Sequence, residues 1–229
     1  MRNIYLVFFD PEQHRALGFR PYLNSLIIAL GTSLITAAIS FFAGFGFARY
    51  RFRGREILLL SLLFINMLPL MARVIPLFRM FILYRLYDTY IGLILLHAAS
   101  QAPFATWLMR GYIWSIPKDL EDSAMIDGCT RGKAVRRIIA PLSAPGLAAV
   151  AVLSFRYAWN EFTAALILTT SESMRPYTVA IHKFVGDHSK IDWHLISAAS
   201  FISIIPIIIA FAFFQRYFVS GLTRGAVKD

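Results

Sequence analysis

The chain has 229 residues, 58% of them hydrophobic and 16% charged, against about 45–50% and about 25% in soluble proteins, and this composition points to a lipid bilayer. Lys and Arg number 23 against 13 Asp and Glu, but they cluster at the ends of apolar runs, where they orient the chain and meet headgroups rather than nucleic acid. Stretches long enough to cross about 30 Å of hydrocarbon take up most of the length and leave no room for a separate soluble enzyme domain; the single cysteine, Cys129, excludes an internal disulfide and a Cys-based zinc site.

Residues 1–20 carry charges throughout and lack the apolar core of a cleavable signal peptide. Tyr22 to Ala48 is free of charge and forms the first expected span. A basic run follows at Arg49, Arg51, Arg53 and Arg55. The second span, Ile57 to about Leu83, is interrupted by Pro69, Arg73, Pro76 and Arg79 and is expected to be kinked or partly unwound, because proline removes a backbone donor. Thr89 to Met109 makes the third span, Pro145 to about Thr169 the fourth, with Arg156 and Glu161 inside it, and Leu195 to Gln215 the fifth. The reading is an all-α integral membrane fold with five transmembrane helices: a tail over 1–21, a membrane domain over 22–219 and a second tail over 220–229.

Basic residues in short loops mark the cytoplasmic side. The side comprising 49–55, 110–137 and 216–228 holds thirteen; the side comprising the amino-terminal tail, Arg85 and the 171–194 loop holds seven. The carboxyl terminus is therefore expected in the cytoplasm and, with five spans, the amino terminus outside.

Residues 115–141, between spans three and four, are too polar to enter lipid. Ser115 and Pro117 followed by Asp119, Glu121 and Asp122 predict a helix start, since acids suit the positive end of the helix dipole. Gly128 predicts a stop. A second helix is expected from about Thr130 to Ala140, ending before Pro141. Leu120 with Ala124, and Val135 with Ile138, give each helix an apolar stripe. The result is a helix-turn-helix elbow on the cytoplasmic surface, read either as a solvated connector or as a docking surface.

Some apparent motifs carry no chemistry. Gly128 to Lys133 has three residues between its glycines where a phosphate loop has four, and Ala134 follows the lysine where Ser or Thr is required. His182, His188 and His194, near Asp187 and Asp192, are six residues apart; on a helix each step rotates by about 600°, onto different faces. They are read as part of an external loop rather than as metal ligands. Cys129 is read as a small turn residue, and no Ser/His/Asp arrangement shares a plausible depth.

The string LEDSAMIDGCTRGKAVRRIIAP, Leu120 to Pro141, resembles the EAA loop of ABC-importer permeases, with Asp122, Ser123 and Ala124 at the EAA positions and Gly128, Ile138 and Pro141 at the others. Asp replaces Glu, Ser replaces Ala, and Ala140 stands where leucine is usual. ARYRFRGR (48–55), PLSAPGL (141–147), WNEF (159–162) and QRYFVSGLTRGAVKD (215–229) are similar to segments of maltose-type, MalG-like carbohydrate-importer permeases, in colinear order over about residues 22–229. That family usually has another membrane helix before the first segment, so a shortened start or a five-helix variant is expected.

This resemblance implies a type I importer permease (MetI-like) fold and a chain that hydrolyses no ATP and binds no cofactor. It also implies a second permease, two cytoplasmic ATPase subunits holding ATP and Mg, and an external solute-binding protein, in a bacterial-type inner membrane. Glu121, Asp122, Ser123, Ala124, Asp127 and Gly128 become the expected ATPase-coupling residues, with Gly128 allowing a turn that a side chain would obstruct. The pathway is expected along Arg156, Trp159, Asn160 and Glu161. At about 1.5 Å per residue Arg156 lies roughly 17 Å deep, and it shares a helix face with Asn160 but not with Glu161. The alternative for Arg156 is pairing with an acid or carbonyl on a neighbouring helix. Other readings are an importer of a non-sugar solute, which shares the EAA loop, and an ion-driven secondary transporter. The latter calls for inverted repeats and midplane acids, whereas no repeat is visible and Glu161 is the only acid within a span.

Overall fold

The structure, a computed structural model, describes residues 2–9, 17–185 and 192–225; Asp187 and His188, discussed above, and residues 226–229 of the carboxyl-terminal tail lie outside them. Every regular element among the described residues is a helix: α1 (Arg2–Phe8), α2 (Arg20–Arg49), α3 (Arg55–Asn66), α4 (Leu70–Leu83), α5 (Tyr90–Trp114), α6 (Asp119–Ile126), α7 (Arg131–Leu142), α8 (Ala144–Asn160), α9 (Thr163–Leu168), α10 (Tyr177–Ala180, with a 3-10 turn to Phe184) and α11 (Trp193–Gly225).

Three of the five expected spans are single helices long and apolar enough to cross a membrane: Arg20–Arg49, Tyr90–Trp114 and Trp193–Gln215. The other two are broken. The second divides into α3 and α4, of 12 and 14 residues, so each is about 18–21 Å long and short of a full crossing. The break falls at Met67–Pro69 because Pro69 takes an extended backbone (φ −55°, ψ 135°); Pro76, expected to interrupt the same span, sits inside α4 without ending it. The fourth span divides after Asn160. Glu161 turns its carboxylate onto the free amides of Ala164 (2.9 Å) and Ala165 (3.1 Å), supplying the acceptors a new helix start needs.

The chain forms two compact units. The first comprises Met1–Thr32, Leu68–His97 and Ser154–Phe211. Its apolar cores gather Ile28, Phe81, Leu93 and Leu168, then Val7, Tyr177, Phe184 and Ile202, and then Phe155 and Trp159. Two buried polar side chains here, Asn24 and Ser25, are satisfied by hydrogen bonds to distant backbone. Asn24, 1% exposed, donates to the carbonyls of Ser173 and Arg175 and accepts from the Tyr90 hydroxyl. Ser25 accepts from the amide of Tyr177, whose hydroxyl donates to the Ala199 carbonyl.

The turn between α4 and α5 holds Arg85 and Asp88 at positive φ (56° each), an uncommon conformation for side-chain-bearing residues. Asp88 accepts from the amides of Thr170 and Ser171 and from the Ser171 hydroxyl. Burial opposes its ionisation, yet these bonds and nearby Arg175 prevail and hold the carboxyl below its ordinary range. Gly92 lies so close to this turn that a Cβ would sit 2.1 Å from the Leu86 carbonyl oxygen.

The second unit comprises Ser33–Met67, Ala98–Leu153 and Ala212–Asp229. Phe41, Phe45, Met109, Ile113, Ile116, Ile139 and Val150 make its core. Because Ile116 and Ile139 flank the elbow, the elbow's two ends are set in the same apolar cluster as α2 and α5.

Candidate functional site

The elbow forms as a helix pair, with details that differ from the sequence expectation. Its first helix, α6, begins at Asp119 with Asp119, Glu121 and Asp122 in the first turn. Ser115, expected to open it, instead donates to the Tyr112 carbonyl at the end of α5. At the far end the Gly128 amide reaches the Met125 carbonyl (3.1 Å) and the Cys129 amide the Ala124 carbonyl (2.9 Å), which is the Schellman closure around a left-handed residue. Gly128 has φ +84°, and a Cβ there would meet nothing within 4 Å. The turn therefore requires glycine for its own backbone conformation, and no neighbour would obstruct a side chain.

Thr130 caps α7 by accepting from the Lys133 amide. The helix does not end before Pro141. A wide π-turn over Val135–Ile139, closed by the Ala140 amide on the Val135 carbonyl, precedes the proline, giving its ring room and absorbing its missing donor. The helix runs on to Leu142, and α7 and α8 then meet at 68° across Ser143.

Two anchors hold the elbow to the end of α2. Arg49 Nε donates to Glu121 Oε1 at 2.5 Å and its Nη2 to the Ile116 carbonyl at 2.9 Å; the two side chains of the pair are 10% and 9% exposed. Arg131 lies over the Tyr50 ring, 5.5 Å from its centroid, and donates to its hydroxyl. That bond, with Glu121 and Asp122 nearby, holds Arg131 above its ordinary pKa. A second network closes the base of the unit: Arg110 grips both oxygens of Glu56, Arg55 joins the same carboxylate, and both guanidinium groups lie over Trp114. The Arg110 bond is the main reason the Glu56 carboxyl is held below its ordinary range.

The expected coupling residues thus fall into two groups. Glu121 and Ala124 are buried, at 7% exposure each, and face the protein's own packing. Ser123, Asp127 and Gly128 are exposed and Asp122 is half-buried. Beside them Leu120 and Ile126 stand out, Ile126 at 86% exposure. Sequence reasoning missed Arg49, Tyr50, Glu56 and Arg110 as partners. The pair Arg49–Glu121 is 72 residues apart, beyond any periodicity, and the only available signal was one acid, Glu56, at the edge of a basic run.

The expected pathway residues also divide, all within the first unit. Arg156 and Asn160 are exposed on one face of α8, with Asn160 Nδ2 donating to the Arg156 carbonyl at 3.0 Å. Trp159 points the other way. It is 1% exposed, stacked on Phe155, edge-on to Tyr22, and its Nε1 donates to the Ser203 carbonyl. Glu161 is engaged in capping α9. Among the described residues no three His, Cys, Asp or Glu side chains gather as a metal site.

Residues 36–224 match the family described as binding-protein-dependent transport system inner membrane component. The chain is 40% identical over 229 residues to the trehalose/maltose transport system permease protein MalG of Thermococcus litoralis, covering all of this chain and 81% of that protein. It is 37% identical over 213 residues to the arabinooligosaccharides transport system permease protein AraQ of Bacillus subtilis, covering 93% and 75%. A crystal structure of a bacterial ABC transporter involved in the import of the acidic polysaccharide alginate superposes with a TM-score of 0.70 at 25% identity, over 90% of this chain and 76% of that one. With a helical elbow, interrupted apolar helices and these matches over nearly its whole length, the chain is a multi-pass membrane protein of the binding-protein-dependent transport system permease family.

Proposed function

We propose that this chain is one of two permease subunits of an ATP-driven carbohydrate importer, taking solute from an external binding protein and driven by two cytoplasmic ATPase subunits that hold ATP and Mg. The chain itself performs no catalysis. The observation that carries the reading is the elbow: a rigid helix pair anchored through Glu121 and Arg131 to the end of α2, with an apolar and acidic tip at Leu120, Ile126 and Asp127 left uncovered. Such a tip suits insertion into an ATPase cleft, and the anchors turn any push on it into movement of α2. Asp122, Ser123, Asp127 and Gly128 make the contact in this reading; Glu121 and Ala124 position it. The sugar-transport relatives support carbohydrate as the cargo.

Three measurements test the reading. Gly128→Trp or Asp122→Lys in the assembled importer should abolish ATP-driven uptake in proteoliposomes while the chain still inserts; uptake at the unmodified rate would refute the coupling role. For topology, a tag after Asp229 and a cysteine label near Arg53 should both report cytoplasm, with the 171–194 loop outside. Labelling of position 188 from the cytoplasmic side alone would reverse the orientation. For the pathway, Arg156 and Asn160 line the solute route, and uptake unchanged when both become alanine would remove that role.

A further inference from the structure

Within the first unit the membrane segments carry an excess of positive charge. Its membrane segments hold three arginines, Arg73, Arg79 and Arg156, and one acid, Glu161. Glu161 is committed to the amides of Ala164 and Ala165. The buried Nε of Arg73 has no hydrogen-bond partner among the described residues. Arg156 is exposed beside Asn160 on α8. The ion pairs between described residues, Arg49–Glu121, Arg55–Glu56 and Arg110–Glu56, all belong to the other unit. A cation at membrane depth is costly, so it faces protein or water and attracts an anion.

The same sign recurs in a cavity of about 790 Å³ within this unit. Among the described residues Arg20, Arg175 and Lys183 border it, against one carboxylate, Glu172. Asp88, which feels the charge of Arg175, is already held by Thr170 and Ser171. A concave wall with an excess of one sign raises the local concentration of counter-ions. In the proposed topology this cavity opens on the outside, where solute arrives.

We propose that the solute conducted by this chain is an anion, a carbohydrate bearing a carboxylate, sulfonate or phosphate, gathered at the Arg20–Arg175–Lys183 cavity and met within the membrane by Arg156 and Arg73. The proposal rests on the carbohydrate-importer reading and adds a charge to it. Guanidinium forks match carboxylate and sulfonate oxygens with paired donors; a neutral sugar would leave these cations uncompensated.

The test uses the complete importer, with its own binding protein and ATPase subunits, in proteoliposomes. Uptake is compared for two oligosaccharide pools of matched size, one neutral from starch and arabinan digests, one uronate-bearing from alginate and pectin digests. The acidic pool should enter at least ten-fold faster, a preference that shrinks as salt rises, and Arg156→Gln should cut its uptake at least ten-fold. The comparison on the unmodified complex needs no variant, so it stands even where Arg156→Gln fails to assemble. Faster or equal entry of the neutral pool leaves the carbohydrate importer intact and overturns the anion proposal, with the arginines then answered by acids of the second permease. Entry of neither pool by an assembled, ATP-hydrolysing complex counts against the carbohydrate reading and this one together.

Discussion

The unit that carries the elbow pairs three of its arginines with its own carboxylates, whereas no ion pair between described residues falls in the unit that carries Arg156. In the elbow unit, Arg49, Arg55 and Arg110 meet Glu121 and Glu56 within the chain, two of them also stacked on Trp114. In the unit of Arg156, Arg73 and Arg156 make no ion pair among the described residues, and Asp88 and Glu161 spend their carboxylates on backbone amides. Internal pairing gives rigidity, which suits a part that transmits force. Charge left uncompensated gives attraction, which suits a part that meets something from outside the chain.

The sharpest way to break this contrast is Glu121→Ala. Removing one partner of a buried pair strands the other charge, so the change should cost about 3–5 kcal/mol, read as a lower melting temperature and new protease cutting within 115–143. Melting and cutting indistinguishable from the parent would show that the elbow does not depend on its anchor.

In the other unit the tightest constraint is steric. Gly92→Ala forces a methyl against the Leu86 carbonyl, and overpacking of this kind costs about 1–3 kcal/mol; thermal unfolding of the purified protein measures it. An unshifted melting curve would mean that the α4–α5 turn yields easily.

At Gly128 the cost is conformational. Alanine in a left-handed position should lose about 1–2 kcal/mol, whereas asparagine, which tolerates that region, should lose less and retain more transport. Equal transport by Gly128→Ala and Gly128→Asn would argue that backbone strain is not what the elbow senses.

The smallest effect expected is on pH. Asp88 has its folded pKa lowered, so the folded form binds fewer protons than the unfolded one. Its contribution is present above the ordinary carboxylate range and is lost as pH falls through the folded value. Accessibility of a cysteine placed at Thr170 should therefore rise on acidification, and Asp88→Asn should remove most of that rise. A rise of the same size in Asp88→Asn would locate the titration elsewhere.

Much of this was legible in the sequence. Charge-free runs marked α2, α5 and α11, because a bilayer punishes exposed charge uniformly along the whole crossing. Pro69 marked the break in the second span, and the acids of the first turn with Gly128 marked α6 and its stop, since each acts through its own backbone. The π-turn that carries α7 past Pro141 was not legible: an i→i+5 register leaves no trace in composition. Nor was the turn after Asn160, where the Glu161 carboxylate caps the next helix.

Composition and local chemistry thus determined by themselves that the chain crosses a membrane, where its long apolar helices lie, and that a polar elbow stands between two of them. These follow from interactions spanning a few residues, or from one solvent acting everywhere. Only the tertiary structure decided which elbow residues are anchors and which are tip, that Trp159 turns away from Arg156, and which arginines pair with a carboxylate among the described residues. Those outcomes depend on side chains tens of residues apart being brought within about 3 Å, and a one-dimensional pattern holds no record of that meeting.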